Sequence, residues 1–209
     1  MTKYIWIGVI IVALIGLIFL GKAGASVEPP FEAGILHPMD NVRGNLESSV
    51  VVMEYSDFQC PACKTYYPVT RQLMTEFEDR VIFVYRHFPL TNVHSNAEFA
   101  ARAAEAAGRQ GKFWEMHDLL FEKQGEWSTV SDVVPMFETY ATLLGISVDR
   151  FDSDLGSSEV KNFVKAQKAH AIKSGLQGTP TFFVNGQQIE NPTSVDQFRT
   201  IINNALNSQ

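Results

Sequence analysis

The sequence predicts an α/β protein in which a βαβ unit and a ββα unit are separated by an all-helical block. Three observations carry this. Two β-branched runs, Val50–Tyr55 and Val81–Tyr85, flank a long helical stretch. Helix-period patterning then holds across residues 92–175. Near the C-terminus, Thr181-Phe182-Phe183-Val184 is followed by Asn185-Gly186, a two-residue hairpin turn of the primed type.

The elements follow in order. The first strand leads through Ser56-Asp57-Phe58-Gln59 into Cys60-Pro61-Ala62-Cys63, and a helix continues to about Asp79 with Val69, Leu73 and Phe77 on one face. A strand, a helix and a second strand imply a parallel pair with a right-handed crossover. Ser95-Asn96-Ala97-Glu98 has the spacing of a capping box and opens an Ala-rich helix that stops at Gly108. Phe113–Lys123 and Val133–Leu144 read as two more helices, the second followed by Gly145. Ser157 or Ser158 opens a fourth, with Val160, Phe163, Val164 and Ala171 inside and Gly175 as its stop. Gln187–Glu190 is the return strand of the hairpin, and a last helix runs from about Ser194 to Leu206.

The 209 residues suit one domain with a sizeable insertion. With 45% hydrophobic residues, including 15 Phe, the chain can build a core and is neither disordered nor low-complexity. A net charge of −6 argues against a nucleic-acid partner, whose footprint would be a basic stripe. Two cysteines exclude a multi-disulfide scaffold and any four-cysteine zinc or iron–sulfur site.

Part of the apolar fraction lies outside the core. Tyr4–Leu20 contains no charged or strongly polar side chain, and residues 1–25 read as an N-terminal anchor or signal segment. Its length points to an uncleaved transmembrane anchor. Ala23-Gly24-Ala25 offers the alternative of cleavage before Ser26 and a secreted form. Either reading places the rest outside the cytoplasm, in the periplasm or at the cell surface. Lys3 and Lys22 flank the run evenly, so the positive-inside bias is weak. Residues 26–48, with Pro29-Pro30, form an extended spacer whose later part can add an edge strand.

Cys60 and Cys63 stand three apart at the start of a helix, which puts both sulfurs on one face at its N-terminus. Pro61 suits the first helical position, where its missing N–H costs nothing. Cys60 would sit among free backbone N–H groups at the positive end of the helix dipole, which favours thiolate, the nucleophile and the better leaving group. Cys63, one turn inward, is placed to resolve a mixed disulfide. A purely stabilising disulfide would close a very short loop, where the entropic benefit is smallest. A metal site would need a histidine from His37, His87, His94, His117 or His170, and none forms a His-x-x-x-His pair nearby. Redox chemistry is therefore expected, with no metal. No G-x-G-x-x-G or P-loop indicates an organic cofactor, and the redox-active group is the Cys60–Cys63 disulfide itself.

At these residues the chain resembles thioredoxin-fold thiol–disulfide oxidoreductases of the DsbA-like family. The matching segments are Tyr55–Cys63, Gly111-Lys112-Phe113-Trp114 and Gly178–Gly186. The resemblance implies a thioredoxin-like domain over 49–91 and 176–209, interrupted by a helical domain over 92–175. It implies that Cys60 attacks and Cys63 resolves, with Pro61 and Ala62 between them. Thr179-Pro180 matches the loop whose cis proline packs against the disulfide and whose Thr179 backbone pairs with a substrate strand. Pro68 matches the proline that kinks the active-site helix.

Glu54 matches an acid that relays protons to the buried cysteine in related proteins; a partly solvated strand glutamate is the equal alternative. Asp57 is open in the same way. Phe58, Tyr66, Phe88 and Trp114 are each expected in the core rather than in a substrate groove. The implied partners are reduced exported proteins as substrates, a quinone-linked membrane thiol oxidase for reoxidation, and a membrane through the N-terminal segment. A reductase or isomerase kept reduced by a membrane electron carrier is the alternative within the class. A thiol-based Cu(I) chaperone is the alternative outside it.

Strongly oxidising relatives carry Pro-His between the cysteines, and this chain has Pro61-Ala62. A histidine adds charge that favours the thiolate, so the resemblance implies a milder oxidant. Ala62→His is predicted to lower the Cys60 pKa and raise the reduction potential, read by alkylation against pH and by equilibration with glutathione.

Overall fold

In the computed structural model, residues 31–208 are described; the expected anchor or signal segment and the first five residues of the spacer, 26–30, lie outside them. Among the described residues no helix is long and apolar enough to cross a membrane.

A five-stranded sheet forms the centre, in the order β1-β3-β2-β4-β5. The strands are β1 (Asn41–Gly44), β2 (Val51–Ser56), β3 (Ile82–His87), β4 (Thr181–Val184) and β5 (Gln187–Ile189). β2 and β3 are parallel, as the strand–helix–strand order requires, with Glu54 opposite Tyr85. β4 joins β2 antiparallel, and β1 closes the β3 edge as the strand expected from the spacer. Asn185 and Gly186 both take positive φ, +47° and +80°, which forms the predicted hairpin turn between β4 and β5.

Alternation along the strands sorts the core. Val52, Phe83 and Phe182 face helix α1 (Pro61–Glu76) and the C-terminal helix α8 (Val195–Asn207), packing with Leu73, Phe77, Phe198 and Ile202. Met53, Tyr55 and Val84 face the other side, against Ala171 and Leu176. Helix α1 runs through Pro68 and ends at Glu76 rather than Asp79. The amides of Arg80 and Val81 turn back onto the Phe77 carbonyl and stop it there.

Between β3 and β4 lie α2 (Ala97–Gly108), α3 (Phe113–Glu122), α4 (Gln124–Trp127), α5 (Val134–Leu143), α6 (Val148–Gly156) and α7 (Ser158–Lys173). Two of these were not anticipated. Helix α6 is dominated by Asp149, Arg150, Asp152 and Asp154, and buries only Phe151 and Leu155, too few apolar positions to show a period. Ser147 caps it by accepting the Arg150 amide at 3.3 Å. The capping box at Ser95–Glu98 does not form: Asn96 precedes α2 and makes no side-chain cap bond. Its side-chain amide instead donates to the carbonyls of Trp127, Ser128 and Val130. Ser157 and Ser194 do cap α7 and α8.

The chain entering the sheet, Phe31–Asp40, is strapped across it by Arg86 of β3, which is fully buried. Its Nε and Nη2 donate to the Asp40 carboxylate at 2.8 and 2.7 Å. Nη1 also reaches the Tyr55 hydroxyl and the Glu32 carbonyl, and Nη2 the Ile35 carbonyl. The guanidinium is thus well supplied with acceptors, the condition under which a buried charge is tolerated. Gly34, at φ +73°, lies so close to the hairpin that a Cβ would meet Gly186 Cα at 2.7 Å. Asp40→Ala leaves the Arg86 charge buried and unpaired, and is expected to cost about 3–5 kcal/mol in denaturant unfolding. Adding Arg86→Met should recover most of that loss.

Candidate active site

Cys60 occupies the N-cap of α1 with extended backbone (φ −68°, ψ 124°), and Pro61 begins the helix behind it. The first-turn amides are therefore free to face the sulfur. Cys60 is 6% exposed and Cys63 is fully buried. Both are thiols, and the pair is split electrostatically. Cys60 is lowered from 9.0 to about 5, chiefly by a hydrogen bond from the Cys63 thiol, which outweighs the cost of burial. The Thr179 side chain and the backbone N–H groups of Cys63 and Ala62 add to it. Burial, with the neighbouring Cys60, pushes Cys63 well above 9.0. Ala62 is exposed and its side chain contributes nothing to this balance.

Opposite the cysteines, the Thr179–Pro180 peptide is cis. The Thr179 carbonyl lies 3.6 Å from Cys60 Sγ, and Pro180 is buried. These residues, 119 apart in sequence from Cys60 to Thr179, meet because β4 lies antiparallel beside β2.

Glu54 points to the α1 side of β2 and is 6% exposed. Burial raises its pKa from 4.5 to about 7, opposed by the Ser56 hydroxyl and assisted by the nearby Cys60. The partly solvated alternative for this residue does not hold. Asp57 has a different place. Its Oδ1 accepts the Gln59 amide at 2.8 Å, and its Oδ2 accepts the Leu90 amide and meets His94 Nδ1 at 2.9 and 2.7 Å. It closes the loop that delivers Cys60.

That loop is also held from the helical block, by residues the sequence reading passed over. Gln59 donates to the Ser128 carbonyl and accepts the Asn96 amide, each at 2.7 Å. Gln124 of α4, 6% exposed, donates to the carbonyls of Phe58 and Cys60 at 2.7 and 3.0 Å. Gln59 carried a signal, a long polar side chain immediately before the motif. Gln124 carried none, since only the fold brings it there.

Two of the four aromatics lie in the core as expected, and Tyr66 and Trp114 are only partly buried. Phe58 and Phe88 are buried, Tyr66 donates to the Pro192 carbonyl, and Trp114 donates to the Val42 carbonyl from a partly buried position. His87 pairs with Glu105, His94 with Asp57 and His117 with Asp118. No cluster of three or more metal-ligating side chains occurs among the described residues.

A dithiol at a helix N-terminus facing a cis-proline loop can be compared directly with known proteins. The family model described as thioredoxin matches residues 37–204. The chain belongs to the thioredoxin family. Within it, the DsbA fold with its helical insertion is the form seen. The Wolbachia pipientis alpha-DsbA1 crystal structure superposes with a TM-score of 0.74 at 18% identity, covering 83% of this chain and 94% of that one. A thioredoxin-like oxidoreductase from Silicibacter pomeroyi reaches 0.68 at 28% identity over 82% and 95%. Among curated relatives, a chain from Salinispora arenicola named Na(+)/H(+) antiporter NhaA 1 is 42% identical over 167 residues. Those residues are 80% of this chain and 25% of the relative, so this thioredoxin-family chain spans about a quarter of such relatives' length.

The thiol split makes reactivity and stability depend on pH. Alkylation of the reduced protein is expected to modify Cys60 with a midpoint near pH 5 and to leave Cys63 unmodified. Because the folded-state value lies below the unfolded one, the contribution of Cys60 is fully present above pH 9.0 and is lost as pH falls through about 5. Reduced wild type should therefore gain stability over Cys60→Ser as pH rises across that window, measured by denaturant unfolding.

Proposed function

We propose that this chain is a thiol–disulfide oxidoreductase that works outside the cytoplasm and donates its Cys60–Cys63 disulfide to exported proteins. The observation that carries this reading is the opposite displacement of the two thiols, Cys60 to about 5 and Cys63 well above 9.0. A stabilised Cys60 thiolate stabilises the reduced enzyme, which makes the disulfide a better oxidant.

In the proposed cycle a substrate thiolate attacks Cys60 Sγ, the Cys60–Cys63 bond breaks, and Cys63 leaves and takes up a proton. A second substrate thiolate then attacks the substrate sulfur of the mixed disulfide. The substrate leaves oxidised, and Cys60 leaves as the thiolate that its surroundings favour. Thr179 offers backbone to an extended substrate segment beside the sulfur, Pro180 shapes that wall, and Pro61 and Ala62 leave the approach to Cys60 uncrowded. Glu54 exchanges protons with Cys63. A quinone-linked membrane thiol oxidase would accept the electrons and restore the disulfide.

The Silicibacter pomeroyi neighbour described as an oxidoreductase supports the reaction class. The apolar run Tyr4–Leu20 supports anchoring at a membrane, with release by cleavage as the alternative. The antiporter names of the longer relatives support a station near a membrane for this chain and nothing about transport by these residues.

The purified chain should equilibrate with glutathione at a potential between about −120 and −180 mV, the range of the oxidising members of this chemistry. A value near −270 mV would make it a reductase. Failure to form a reversible disulfide, with stoichiometric Cu(I) bound through Cys60, would replace redox catalysis with metal handling.

A further inference from the structure

We propose that Ser56 is the bridge through which a proton passes between Cys63 and Glu54 during disulfide exchange. This rests on the reading of the chain as a thiol–disulfide oxidoreductase and assigns a residue to its least accessible step.

Cys63 has no contact with solvent, so its proton must come from and return to a protein group. Glu54 is the buried carboxyl whose charge reaches Cys63. Residues 54 and 56 of β2 project to the same face, and β3 places Tyr85 opposite Glu54 in register. Ser56 is 1% exposed, and its hydroxyl makes no formed hydrogen bond; the buried Tyr85 hydroxyl beside it makes none either. A buried, unbonded hydroxyl is a cost to folding, and alanine or valine would suit a strand at this position better. The Ser56 hydroxyl nevertheless stands close enough to Glu54, Cys63 and Tyr85 to favour the ionised form of each.

A hydroxyl carries one proton and two acceptor sites, so it can give to one neighbour while taking from another. When substrate thiolate attacks Cys60, the new sulfur–sulfur bond forms and the Cys60–Cys63 bond breaks, leaving its electron pair on Cys63. The Ser56 proton moves to Cys63 Sγ as the proton of the Glu54 carboxylic acid moves to Ser56 Oγ. The net products are a Cys63 thiol and a Glu54 carboxylate, with serine unchanged. Formation of the disulfide reverses the transfer. Glu54 is suited to it: at about 7, it gives and takes a proton near neutrality. The other ionisable side chains around the bridge are Cys60 on α1, Tyr85 and His87 on β3, Asp57 in the loop and His117 on α3, and β4 contributes none.

The test compares the full-length wild type with Ser56→Ala and Ser56→Thr. Disulfide transfer to a reduced dithiol peptide is followed from acid to alkaline pH, and the Glu54 carboxyl is titrated by infrared difference spectroscopy. Ser56→Ala should fold with the Cys60 alkylation midpoint still near 5. It should slow the Cys63-dependent step about a hundredfold, the lower end of what positioned proton transfer contributes. Its Glu54 midpoint should rise above about 7, because the hydroxyl that favours the carboxylate is gone. Ser56→Thr, which keeps the hydroxyl, should restore both. An alanine variant that matches wild type in pH profile and Glu54 midpoint would overturn the inference. So would equal slowing by alanine and threonine, which would reveal packing as the cause. If wild type transfers no disulfide, the proposed activity fails, while the Glu54 midpoints still decide whether Ser56 touches the carboxyl.

Discussion

The active-site chemistry depends on one short connection, the loop from Asp57 to Cys60 that joins β2 to α1. Backbone N–H groups can stabilise a thiolate only if the sulfur is held over them, and a loop of this length has no intrinsic rigidity. It is made rigid by being bonded from three directions. Asp57 ties it to Leu90 and His94 after β3, Gln59 ties it to Ser128 and to the entry of α2, and Gln124 grips its carbonyls from α4. The helical block is thus a support for the loop as well as a second core. Its own packing, from Phe58 through Phe121 and Trp127 to Phe137, begins at that loop.

The molecule treats its buried polar groups in two ways. At Arg86, where charge holds the fold, every demand is met: the guanidinium is surrounded by the Asp40 carboxylate, two carbonyls and the Tyr55 hydroxyl. Around Cys63 the opposite holds. Glu54 is buried without a cationic partner, and the hydroxyls of Ser56 and Tyr85 have no formed bonds. Groups with unmet hydrogen-bonding capacity are costly to fold and able to change partners, which is what proton movement requires. The neighbourhood that raises Glu54 and Cys63 is the one that lowers Cys60, because Cys63 stays protonated and donates to it.

The sequence by itself determined the element order, the parallel βαβ unit, the Asn185-Gly186 hairpin and the placement of Cys60-Pro61-Ala62-Cys63 at a helix start. These follow from local rules, since periodicity, β-branching, turn residues and a proline at the first helical position act over a few residues. It left Glu54 and Asp57 open, because strand alternation says that a side chain points inward but not what it meets there. It misplaced the cap of α2: Ser95 and Glu98 form no capping box, and the residue at the N-cap is Asn96, whose side chain is turned to donate to the carbonyls of Trp127, Ser128 and Val130. It missed α6, whose two buried residues are too few to make a pattern. Only the tertiary structure decided that Gln124 grips the Cys60 loop, that Arg86 holds the entering strap, and that Ser56, Cys63 and Glu54 are buried near one another. Those outcomes depend on chain segments far apart in sequence, and burial alone sets how strongly each polar group acts.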